Sequence, residues 1–147
     1  MGSQPTFPPS LDEIIEEFEE MEDWEERYEY LVDLGRELPA LEDELKSTDN
    51  LVHGCMSTVW LVMRPAPEPS DEQTVEIVAD SDSLIVKGLI VVLLSALSGK
   101  PARDVVTFDT NALFETLGLS QHLSANRKNG LFAMVQRARG LAASYAS

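Results

Sequence analysis

The chain has 147 residues, 44% of them apolar and 25% charged, which is about one domain's worth of material. Eleven Lys+Arg against 26 Asp+Glu leave a net charge of -15, a balance that argues against nucleic acid or an anionic membrane face as partner. A single cysteine excludes the disulfide-framework class, and with two histidines it is too little for a structural zinc site.

The opening residues, MGSQPTFPPS, lack the basic start and apolar run of a signal peptide, and the acidic stretch behind them is wrong for a transit peptide. Met1-Gly2 with Thr6 fits the loose myristoylation pattern, but no polybasic second signal follows. The longest apolar run, Leu89 to Leu94, is far too short to cross a bilayer. The expectation is a cytoplasmic protein with a flexible N-terminus over residues 1–9 and a single domain over 10–147.

Ser10 and Glu13 have capping-box spacing, and Leu11, Ile14, Ile15, Phe18 and Met21 follow at helical intervals, with the acids on the other face. Asp23 reads as a second N-cap, Trp24, Tyr28, Leu31 and Val32 as one helix face, and Gly35 as near the stop. Leu38-Pro39-Ala40-Leu41 opens a short turn or irregular segment. Met56–Met63 is β-branched and aromatic and reads as a strand. The prolines between Arg64 and Gln73 make a loop, and Thr74–Ala79 a second strand antiparallel to the first.

Asp80-Ser81-Asp82-Ser83 then supplies caps for an apolar helix from Leu84 to about Leu97, stopped near Gly99 and Pro101. Three helical pieces follow: Ala102–Val106, Ala112–Leu117, and a long one from about Ala125 to Tyr145. Its predicted buried stripe is Leu131, Met134, Val135, Ala138, Leu141 and Tyr145. Helices flanking a small antiparallel sheet make the expected class α+β.

Cys55 is the only soft nucleophile. It follows Gly54, which allows a tight loop, and precedes the first strand. The plain alternative is a small buried hydrophobe. His53, two residues away, would favour a thiolate through charge or hydrogen bonding, and His122 would converge on Cys55 only if the fold brought it there. No phosphate-cradling loop, metalloprotease helix or paired-carboxylate signature is present, so no cofactor and no metal are expected. On the residues alone the chemistry stops at a reactive thiol in an acidic domain.

Five segments in order resemble the SufE-type sulfur-acceptor proteins of iron–sulfur cluster assembly. They are Trp24–Tyr28, Leu34–Pro39, Gly54-Cys55-Met56-Ser57-Thr58-Val59-Trp60, Asp80–Leu89, and Gln121-His122-Leu123 with Arg127 and Gly130-Leu131. The resemblance runs from about Asp23 to Ala143 and implies a SufE/IscU-like fold. His53 stands where better-known members carry other residues, and Ala125 where a proline often follows the capping residue.

What the resemblance implies is an accessory carrier rather than an enzyme. Cys55 would take sulfur as a persulfide from a SufS-like, pyridoxal-phosphate-dependent cysteine desulfurase, stimulate that enzyme, and pass the sulfur to a SufBCD-like scaffold. The pyridoxal cofactor would belong to the partner. His122 and Arg127 would steady the anionic sulfur, any such role for His53 would be particular to this chain, and Asp82 would face the partner or cap a helix. Three other roles stand beside this one: a CsdE-type acceptor serving another desulfurase, a binding-only regulator, and an independent thiol hydrolase. A carrier would also shelter Cys55 until it docks.

Overall fold

The chain's most apolar stretch becomes its central helix. The computed structural model describes residues 8–54, 57–66 and 73–146. In chain order the elements are α1 (Leu11–Glu20), α2 (Trp24–Glu37), two 3-10 turns (Asp43–Leu45 and Thr48–Asn50), β1 (Val59–Pro65), β2 (Thr74–Ser81) and α3 (Leu84–Leu97). A two-residue β3 (Lys100–Pro101) follows, then α4 (Ala102–Thr107), α5 (Thr110–Thr116), α6 (Leu119–His122) and α7 (Ala125–Ala146). The three strands form one antiparallel sheet in the order β1-β2-β3, with β1 and β2 in register from Val59↔Ser81 to Pro65↔Val75. The α+β architecture read from the sequence is the one observed.

Local chemistry explains the helix starts. Ser10 Oγ accepts from Glu13 N at 3.2 Å and Asp23 Oδ1 from Glu26 N at 2.9 Å, satisfying amide groups that the first turns leave without partners. Inward side chains alternate along β1 (Val59, Leu61, Met63) and β2 (Val75, Ile77, Ala79), giving the sheet one buried face. α3 is buried nearly all round, and it meets both α2 and the sheet.

The crossing of α2 and α3 is made by two glycines. A Cβ on Gly88 would stand 2.0 Å from the Leu31 carbonyl oxygen, and one on Gly35 would stand 2.5 Å from that of Leu84. Gly35 lies two residues before the end of α2, near the stop that the sequence suggests, and this close approach of two backbones is what fixes it there.

Asp80-Ser81-Asp82-Ser83 also departs from expectation. Ser83 occupies the N-cap of α3 without a side-chain cap bond. Asp80 is buried in β2, where it accepts from Leu41 N (3.1 Å) and Ser81 N (2.8 Å) between the ammonium groups of Lys46 (3.6 Å) and Lys87 (3.7 Å). It joins the 38–46 segment to α3, so a tertiary role displaces the predicted local one. Strand β3 and helix α6 leave no sequence signal, being two and four residues long. Trp24 and Trp60 are each partly exposed, and Trp24 packs against the core.

Edge strand β1 does not present bare carbonyls to solvent. Val59 O accepts from Val52 N (2.8 Å), Leu61 O from Arg137 Nε (2.8 Å), and Met63 O from the Tyr145 hydroxyl (3.3 Å). Two of these donors are on α7, which lies along that edge.

Candidate functional site

Cys55 and Met56 lie outside the described residues, so the site is built from the described residues that flank them in sequence and from what those contact. Leu51 bridges Trp60, and Val52 N bonds Val59 O, closing the chain on both sides of residues 53–58. On the N-terminal side, Gly54 has φ +96°, a left-handed conformation that side-chain-bearing residues rarely adopt. A Cβ there would lie 3.6 Å from that of Ala133 on α7. On the C-terminal side, Asp82 holds Thr58 through both its amide and its carbonyl. Its Oδ1 accepts from Thr58 N (3.1 Å) and its own N donates to Thr58 O (3.2 Å). Ser81 Oγ donates to the same carbonyl at 2.8 Å. Asp82, expected as a helix cap or partner-facing residue, is exposed and tethers the loop's exit.

Beside this loop is a cavity of about 310 Å³. Its floor is apolar, from Val59, Val86, Leu89, Leu131 and Met134, and its polar rim is Ser57, Ser124, Asn126 and Arg127. Arg127 enters through the first turn of α7, where Ser124 Oγ accepts from its backbone N–H at 3.3 Å. Its guanidinium carbon sits 5.8 Å from the centre of the Tyr28 ring. A half-buried cation over an apolar pocket is suited to an anionic sulfur, which is large, polarizable and stabilised by nearby positive charge.

The predicted supporting residues separate into three places. Arg127 lines the cavity with Ser57. His53 is exposed and lines a different, open groove of about 600 Å³ together with Ala133, Arg137 and Leu141. His122 lines neither; its ring stacks on Trp24 at 4.8 Å and 11°.

Sequence reasoning missed Arg137. Its guanidinium also reaches Asp49 O (3.2 Å), tying α7 to the turn before the loop, and burial pulls its pKa below the usual guanidinium range. The available signal was a basic residue next to the apolar stripe of α7. Among the described residues no group of three or more His, Cys, Asp or Glu could hold a metal ion, and no helix is long and apolar enough to cross a membrane.

A family model described as "SufE: Fe-S metabolism associated domain" matches residues 12–142. The chain belongs to the SufE family. It is 42% identical over 133 residues to an uncharacterized SufE-like protein of Rhizobium etli, covering 90% of this chain and 89% of that protein. A second uncharacterized SufE-like protein, from Rhizobium meliloti, is 38% identical over 128 residues, covering 87% and 91%. A solution structure of a hypothetical protein from Thermus thermophilus has the same fold, with TM-score 0.71 and 18% identity over 95% of this chain and 98% of that one. As a SufE-family protein the chain has a role in Fe–S metabolism. The glycine crossing, the Asp80 hub and the Arg127 cavity all lie within the matched SufE region.

Proposed function

We propose that this SufE-family protein is a sulfur acceptor in which Cys55 carries the sulfur. The Cys55 thiolate attacks the terminal sulfur of a persulfide on a cysteine desulfurase. A new S–S bond forms at Cys55, the S–S bond on the desulfurase breaks, and the enzyme's cysteine leaves as a thiolate. No external oxidant is consumed, since the sulfane sulfur passes between thiols of equal oxidation state. A SufBCD-like scaffold then receives it, and removing the persulfide frees the SufS-like desulfurase for its next turnover.

The observation that carries this reading is the cavity at Ser57. An apolar pocket rimmed by a cation adjoins the loop that contains the chain's one cysteine, in a family tied to Fe–S metabolism. With no second thiol in the chain, an internal disulfide cannot expel the cargo.

The test is intact mass after incubation with a cysteine desulfurase, its pyridoxal phosphate and free cysteine. One added sulfur atom on the wild type, absent from Cys55→Ser, is the expected result. No adduct on the wild type overturns the reading. Full stimulation of the desulfurase by Cys55→Ser would make the protein a binding-only regulator instead, and preference for a different desulfurase would place it with the CsdE-type acceptors.

A further inference from the structure

Most basic side chains of this protein end on oxygen. Arg36, Arg64 and Arg103 meet carboxylates, as do the two lysines on Asp80. Arg27, Lys128, Arg137 and Arg139 donate to backbone carbonyls. Arg27 and Lys46 also have rings beside them, Phe18 and Trp60, but Arg127 and Lys100 are different: among the described contacts each cation meets an aromatic ring, Tyr28 and Phe108 respectively, and no oxygen. Only Arg127 of these two also lines the cavity beside the Cys55 loop. In a chain carrying 26 acids, a guanidinium without a carboxylate partner among the described residues retains its charge for a ligand.

We infer that Tyr28 is a positioning residue, whose ring face holds the Arg127 guanidinium at the mouth of the Ser57 cavity, ready for an anionic sulfur group. The physical reason is the ring's quadrupole. Its negative face attracts a guanidinium without neutralising it, whereas a carboxylate in the same place would cancel the charge and would also repel a thiolate. Tyr28 lies on α2 and Arg127 on α7, so the contact also sets how far the cation can swing. One turn earlier on α2, Trp24 stacks on His122 and secures the same corner. The flanking acids Glu25, Glu26 and Glu29 are all exposed, and among the described ion pairs none involves Arg127.

The inference rests on the sulfur-acceptor reading, but its test does not need sulfur transfer. The measurement is the rate of Cys55 alkylation against pH on the full chain, which reports the thiolate fraction. Arg127→Met should move the profile to higher pH. Tyr28→Met, which keeps most of the volume, should move it in the same direction and slow alkylation near neutral pH by about two- to fivefold. Tyr28→Phe keeps the ring face and should restore the wild-type profile, while the double variant should move no further than Arg127→Met alone.

An unmoved profile in Arg127→Met overturns the inference, whether or not Tyr28→Met folds. A shift in Arg127→Met with none in a folded Tyr28→Met overturns it equally. Absence of a sulfur adduct on wild-type Cys55 would remove the acceptor reading instead, and it is read in a separate experiment.

Discussion

Helix α2 makes two seams of opposite construction. Toward its C-terminal end, Gly35 crosses Gly88 of α3 with no side chain between the backbones. Toward its N-terminal end, contact with α6 and α7 is made by rings and a cation: Trp24 on His122, and Tyr28 on Arg127. The first seam has one solution, because backbone atoms in contact cannot give way. The second is built from side chains that are partly exposed and can re-seat. The adjustable seam lies on the side of the candidate sulfur site, and the fixed one holds α2 against the core.

The sharpest way to break this contrast is Gly88→Ala. A methyl group 2.0 Å from the Leu31 carbonyl oxygen must push α2 off α3, at a cost of about 3 kcal/mol or more. A urea midpoint close to the wild type's would show that the crossing yields and that the two seams do not differ in kind. His122→Ala should cost much less, about 0.5–1 kcal/mol for an exposed stack, measured the same way. A loss as large as that of Gly88→Ala would mean that the corner is as rigid as the crossing.

The smallest effect concerns Tyr30, which lies on α2 between the seams and meets Phe18 edge-to-face at 5.7 Å. Burial, then the charges of Glu17, Glu13 and Glu37, push its phenol up to about 12. The folded state therefore holds this proton more tightly than the unfolded one. The associated stability is present below pH 10.0 and is lost as pH rises toward about 12. Tyr30→Phe should lose less stability than the wild type across that window, as read by denaturant titration. Parallel curves would mean that neither burial nor the neighbouring acids hold this proton more tightly in the folded state.

Where a signal was local, the sequence was legible. Ser10 and Asp23 cap as their spacing predicts, and the change to β-branched residues marks β1 and β2 to within a few residues. Where two signals competed, the tertiary one won. Asp80 and Asp82 look like helix caps, yet one is a buried hub and the other pins Thr58, because the antiparallel register brings Ser81 opposite Val59. Gly35 does lie near the end of α2, but composition cannot reveal that another backbone passes beside it. The site was legible in part. Arg127 reaches the cavity through a cap whose signal, Ser124, is local, whereas the position of His122 depended on a four-residue helix too short to leave a periodicity.

The covered margin of β1 carries a consequence for life in a crowded cell. An unguarded strand edge invites other chains to add on, and a protein that works by meeting partners makes such encounters often. Here the guard is a pair of side chains, Arg137 and Tyr145, reaching back from a helix far along the chain. Protection against templated growth is thus complete only after that distant helix has come home, so the nascent chain carries its greatest risk of self-assembly until its last helix is docked.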